Sequence, residues 1–183
     1  MARRQSDRVI ENRLQETLRA RFTDMTVQAS RSPRWKRLVL TFRWSGFDEL
    51  LPEERFQRLL NAIPGPFYVN QLRECVWFEL GTGESLEEYM KLPRSEDVEP
   101  QAARVLEQLQ RVGFFKALGD ALGDQPASTC RGDFSVTREL LRSLNFDAES
   151  VRRAILVLIG RGVCCDCKVT GELRPVLPKA GRR

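Results

Sequence analysis

A chain of 183 residues with 42% hydrophobic side chains is long enough and apolar enough to bury a core, which excludes disorder throughout. Histidine is absent, so the commonest general acid–base group near neutral pH and the commonest metal ligand are both missing, and any metal would have to be held by sulfur or carboxylate. The formal charge of +5 is uneven: residues 1–100 carry 16 basic and 16 acidic side chains and the remainder 14 and 9, so the surplus that favours a polyanionic partner lies in the second half, part of it in the tail at Lys179, Arg182 and Arg183.

The longest apolar run, residues 154–159, is far short of the roughly 20 residues that a membrane span needs, and no apolar stretch follows the opening Met-Ala-Arg-Arg. Five cysteines at uneven spacing do not form the even framework of a small secreted scaffold. The expectation is a cytoplasmic chain with no membrane partner and with its thiols reduced or metal-bound.

In chain order, Val9, Ile10, Leu14, Leu18 and Phe22 recur at helical spacing among charged residues and predict an amphipathic helix over residues 7–21. Met25, Val27 and Ala29 alternate with polar residues, and after a turn-like stretch residues 37–44 are rich in β-formers, which predicts two strands paired as a hairpin. Leu51-Pro52-Glu53-Glu54 opens a helix that runs through Phe56, Leu59, Leu60 and Ile63 and stops at Pro64-Gly65-Pro66. A third strand falls within residues 71–80, ended by Gly81-Thr82-Gly83, and Ser85-Leu-Glu-Glu can nucleate one helical turn. Residues 93–100 are polar, acidic and bounded by prolines, as a linker is.

Beyond residue 100 the pattern is helical. Val105, Leu109, Val112, Phe115, Leu118 and Leu122 keep a 3.6-residue beat up to Gly123. Ser135 can cap a short helix carrying Val136, Leu140, Leu141 and Leu144, and Asp147 can cap another in which Val151, Ala154, Ile155, Leu158 and Ile159 share a stripe. Gly160 and Gly162 close it, and residues 163–169 read as a strand.

The order helix, two strands, helix, strand resembles the BolA-like fold, a relative of one class of KH-type nucleic-acid modules. The matching residues are Ile10-Glu11-Asn12-Arg13-Leu14 for the opening helix, Trp44-Ser45-Gly46-Phe47 and residues 52–58 for the aromatic-Gly stretch and arginine-bearing helix, and Ser85-Leu-Glu-Glu-Tyr89 for the closing turn, over residues 7–90. BolA proteins use a histidine in an iron–sulfur cluster shared with glutaredoxin; here Phe56 and Asn70 stand about where family histidines would, so the resemblance implies the fold without that cluster function. Residues 128–172 resemble a bacterial family of unknown function with a Cys-Asp-Cys-Glu-Val tail, through Cys130, Thr137-Arg138, Leu141, Asp147, Val151, Leu158, Gly162 and Cys165-Asp166-Cys167-Lys168-Val169, with Lys168 in place of the glutamate. That family brings no activity with it.

The fold class expected is therefore α+β: a small α-β-β-α-β, BolA/KH-like module over residues 1–92, a linker at 93–100, a helical Cys-tailed module at 101–175 ending in a short strand, and a basic tail at 176–183. On a strand, Cys165 and Cys167 would share a face and Cys164 would point away. With Cys130 they make a candidate thiol cluster, and zinc is the candidate cofactor if Cys164 or an acid such as Asp124 or Asp133 completes four ligands. Simple packing of small soft side chains and thiol redox chemistry are the other readings. The helical pair with a following strand also fits a winged helix-turn-helix, in which Arg138, Arg142, Arg152 and Arg153 would meet nucleic acid. Neither a Gly-rich phosphate loop nor a Ser/His or Cys/His arrangement is present, so the expected role is binding or regulation through a protein or nucleic-acid partner.

Overall fold

The computed structural model describes residues 5–123 and 132–172, and the chain divides into two compact units, Met1–Leu92 and Pro93–Arg183. In the first unit the order is helix α1 (Gln5–Arg19), strands β1 (Thr26–Arg31) and β2 (Leu38–Arg43), helix α2 (Pro52–Leu60), a short helical turn α3 (Gly65–Phe67) running into a π-turn Tyr68–Leu72, strand β3 (Val76–Leu80) and helix α4 (Leu86–Met90). The expected α-β-β-α-β order is present within a mixed α+β chain.

The sheet has the order β1-β2-β3. β1 runs antiparallel to β2 with Ala29 opposite Leu40, and β3 runs parallel to β2 with Trp77 opposite Leu40. Alternation then sorts the side chains: Val27, Ala29, Leu38, Leu40, Phe42 and Trp77 share the face packed with Leu14, Leu18, Phe47 and Leu59, while Val39, Phe78 and Leu80 gather on the other face with Tyr89 of α4. On β1 that second face is polar and exposed, at Thr26, Gln28 and Ser30. Gly46 has its own reason to be glycine: a Cβ there would lie 2.2 Å from the Trp44 ring.

The second unit is helical: a 3-10 segment Ser95–Gln101, then α5 (Ala102–Arg111), α6 (Phe114–Leu122), α7 (Ser135–Ser143), α8 (Ala148–Gly160) and α9 (Asp166–Glu172). The single long helix expected up to Gly123 is broken at Gly113, whose φ of +74° is left-handed backbone that glycine adopts without strain. Helix α8 is central, packing against the 3-10 segment, α5 and α7, and Ala154 to Leu158 are buried without interruption.

Three expectations are corrected here. Residues 93–100 are not a free linker, because Val98 is buried, the 3-10 segment packs on α8, and Arg161 pairs with Glu99 at 3.1 Å. The final strand is a helix, α9, so the strand alternation that aligned Cys165 with Cys167 does not exist, and among the described residues no strand follows α8 as the expected wing. Short runs of β-branched and cysteine residues are ambiguous in sequence, and here a tertiary contact decides: Asp166 turns in to cap α7. Ser135 is accordingly not the cap of α7. Cys130, Asp124 and the basic tail 176–183 lie outside the described residues.

Candidate functional site

The best-built polar arrangement of the first unit lies at the carboxyl ends of the parallel strands β2 and β3, where crossovers of this kind leave room for a ligand. A shallow cleft of about 420 Å³ opens there, lined by Asp48, Arg55, Thr82, Gly83, Glu84 and Glu88. Arg55 is buried on α2. Its Nη1 donates to the Glu79 carbonyl at 2.7 Å and to Glu84 Oε2 at 2.5 Å, and its Nε donates to the Leu50 carbonyl at 2.8 Å. An arginine held by two carbonyls and a carboxylate is fixed in place, which is how a buried guanidinium is tolerated.

The loop after β3 is clamped from three sides. Arg43 Nη1 donates to the carbonyls of Gly81 and Glu84, the Glu84 carboxylate accepts the Gly81 N–H at 2.7 Å, and Asp48 Oδ1 accepts the Thr82 N–H at 2.6 Å. A Cβ at Gly81 would sit 2.3 Å from Asp48 Oδ1, so any larger residue there would have to displace that carboxylate. Ser85 and Glu88 then close a capping box that starts α4, and the backbone N–H and hydroxyl of Ser85 hold the Glu88 carboxyl below its ordinary pKa. Behind the loop, the Tyr89 hydroxyl donates to the buried Glu79 carboxylate. The cleft therefore presents three carboxylates and one guanidinium on a rigid frame. Sequence reasoning took Gly81-Thr82-Gly83 as the end of a strand, too short for a dinucleotide fingerprint, and Arg55, which directly follows Glu53 and Glu54, gave no separate signal.

In the second unit the cysteines surround the start of α9. Cys165 is buried, Cys164 and Cys167 are half-buried, and among the described residues no group of three or more thiols and carboxylates is placed to hold a metal ion. The group between them, Asp166, is the most heavily engaged. Its oxygens accept the N–H groups of Val136 and Thr137 at 2.9 and 3.0 Å, and its own N–H donates to the Asp133 carbonyl at 3.0 Å. Burial pushes its carboxyl above the ordinary value, against the pull of the Thr137 hydroxyl and these N–H groups. In the first unit burial likewise pushes the Cys75 thiol up, which disfavours its thiolate.

Of the four arginines expected to meet nucleic acid, Arg138 and Arg142 lie one turn apart on α7, and Arg152 and Arg153 both pair with Glu149, at 3.3 and 3.6 Å. The uninterrupted burial of Ala154 to Leu158 leaves the first turns of α8, and Ile159 and Gly160 at its end, accessible. No described helix is long and apolar enough to cross a membrane. Compared with family models, with curated proteins and with solved structures, the chain matches none.

Proposed function

We propose that the protein acts by binding rather than catalysis, and that its first unit holds a cationic group, such as a lysine-rich peptide segment, in the cleft beside Asp48, Glu84 and Glu88. One observation carries this reading: the acids of the cleft already accept from the loop's own N–H groups and from Arg55, so their carboxylate groups are held in place by the frame. A general acid or base needs the opposite, a carboxyl free to exchange its proton with substrate. Three carboxylates line the cleft against Arg55, with Arg43 on the carbonyls of the same loop, so acids outnumber bases there in a chain whose overall charge is positive. The BolA/KH-like resemblance of residues 7–90 is compatible with a binding module, and the thiol turn of the second unit belongs on this reading to its packing, with zinc held by Cys130, Cys164, Cys165 and Cys167 as the competing case.

Calorimetric titration of the full chain with a lysine-rich peptide, a glutamate-rich peptide, duplex DNA and single-stranded RNA tests it. The expected result is binding of the lysine-rich peptide alone to this cleft, weakened by salt and several-fold weaker in the double variant Asp48→Asn, Glu88→Gln. Peptide binding that ignores the double variant would overturn it. Arg138 and Arg142, one turn apart on α7, favour a second reading, nucleic-acid binding. That reading requires DNA or RNA to bind with a steep salt dependence and to be lost on charge reversal at Arg138, Arg142, Arg152 and Arg153.

A further inference from the structure

We infer that the tip of the β1–β2 hairpin, residues 32–37, binds single-stranded nucleic acid, with Trp35 as the ring on which an unpaired base stacks. The tip reads Ser-Pro-Arg-Trp-Lys-Arg, and every residue from Pro33 to Arg37 is exposed. Its backbone is held by its own hydrogen bonds. The Ser32 hydroxyl accepts the N–H groups of Arg34 and Trp35 at 3.2 and 3.3 Å, the Ser32 carbonyl accepts the Lys36 N–H at 2.9 Å, and the Ser32 N–H donates to the Arg37 carbonyl at 3.2 Å. Lys36 closes the turn with a left-handed φ of +52°, which a side chain with a Cβ rarely adopts. Trp35 is 37% exposed, yet its ring is fixed: its centroid lies 5.5 Å from that of Phe78 on β3, and the Arg34 guanidinium carbon lies 5.5 Å from it. An aromatic ring that is held in place and still open to solvent is what base stacking uses, whatever the base.

The charges around the ring are positive. Arg34 and Lys36 make no ion pair among the described residues, and Arg37 meets Glu74 only at 3.6 Å between two exposed side chains, a pair weak enough to yield to a phosphate. Arg31 is different: it is tied to the buried Asp7 and belongs to the fold. Through Phe78, Trp35 stands on the second face of the sheet, where the register sets Ser30 beside Val39, and Gln28 beside Thr41, which is beside Phe78. Thr26, Gln28 and Ser30 are exposed along it. A single strand with one base on Trp35 can lay its phosphates against Arg34, Lys36 and Arg37 and its next bases over these hydroxyl and amide groups. A duplex keeps its bases stacked on each other and offers the indole no free face, so the single strand is the better fit. The hairpin tip precedes Leu38, at the amino end of β2, whereas the acidic cleft lies beyond Arg43 at the carboxyl end, so the carboxylates there do not repel the strand at close range.

This inference rests on the hairpin tip alone and stands or falls independently of the cleft. Fluorescence anisotropy of the full chain with labelled oligo(dT) and oligo(U) of about 12 nucleotides, a duplex of the same length, a glutamate-rich peptide and vesicles rich in phosphatidylserine tests it. The expected result is that a single strand binds more tightly than the duplex and quenches tryptophan fluorescence; the two oligonucleotides show whether DNA, RNA or both are taken. Trp35→Ala should weaken binding about tenfold or more, while Trp35→Phe keeps a stacking ring, retains most of the affinity and loses the quenching. Arg34→Gln, Lys36→Gln, Arg37→Gln together should lower the slope of log affinity against log salt by about 2, for three phosphates released from single strands. Thermal midpoints of all variants separate loss of binding from loss of fold. Equal binding by the native chain and Trp35→Ala would overturn the inference, as would a duplex bound as tightly as the single strand. So would no binding of either oligonucleotide at low salt, binding of the acidic peptide or the vesicles alone, or single-strand binding that is lost on charge reversal at Arg138, Arg142, Arg152 and Arg153 and kept in the hairpin variants.

Discussion

The carboxylate of Glu11 on α1 accepts the backbone N–H of Ala29 on β1 at 2.6 Å, and it is the middle member of a series. Four residues later in the helix, the Gln15 side chain accepts the Val27 N–H and donates to the Met25 carbonyl; four residues earlier, Asp7 pairs with Arg31. The spacing works because four helical residues rise about 6 Å and two strand residues about 6.8 Å, so a polar stripe at i, i+4, i+8 keeps step with alternate positions of an antiparallel strand. The outer edge of β1, which would otherwise invite another strand, is thus paired by helix side chains. Glu11→Ala leaves the Ala29 N–H buried and bare, and should cost about 1–3 kcal/mol by urea unfolding, with increased self-association by light scattering. Glu11→Gln keeps an acceptor oxygen and should cost clearly less. Equal losses for the two variants would mean that the acceptor is not what matters.

Val98 holds the 3-10 segment Ser95–Gln101 to the second unit, with Glu99 and Arg161 pairing beside it. Val98→Ser should destabilise that unit by about 2 kcal/mol, the scale of burying a valine side chain. It should also open the segment to cleavage by a glutamate-specific protease at Glu96 and Glu99, cleavage that the native chain should resist. Rapid native cleavage at those two sites would restore the segment to a linker.

Asp147 provides the pH dependence. The backbone N–H of Ser150, with its hydroxyl, holds the Asp147 carboxyl below its ordinary value in the folded chain. A depressed carboxyl stabilises the fold above its ordinary pKa, and that contribution is lost as pH falls through the folded value. Asparagine is also a good helix cap but carries no charge. The thermal midpoint of the native chain should therefore exceed that of Asp147→Asn near neutral pH, with the gap closing in acid. A gap that does not change with pH would assign the effect to geometry alone.

The elements of the first unit were legible because each carries its own signal: Pro52 with Glu53 and Glu54 opens α2, alternation at Val27 and Ala29 marks β1, and Ser85 with Glu88 boxes α4. The cap of α8 by Asp147 was legible for the same reason, lying three residues from the N–H that it accepts. What could not be read were relationships carried by distant residues. Arg55 meets Glu84 across 29 residues and Asp48 meets Thr82 across 34, so the cleft exists only once β2 and β3 are parallel. The tail was misread because its β-forming side chains outweigh, locally, a helix whose first residue is fixed by α7.

That fixing contact gives the most specific test. Asp166 accepts the N–H groups of Val136 and Thr137, two of the donors that the first turn of α7 leaves without helical partners, from thirty residues further along the chain. Asp166→Ala should cost about 1–3 kcal/mol for each buried N–H left bare. Asp166→Asn keeps one acceptor oxygen and should recover part of that loss. Hydrogen exchange separates this role from any role of the flanking thiols: the Val136 and Thr137 amides should lose protection in Asp166→Ala and keep it in Cys167→Ser, while the amides of β2 in the first unit are unchanged in both. If Cys167→Ser exposed the same two amides to the same degree, the thiol and not the carboxylate would be holding α9 to α7.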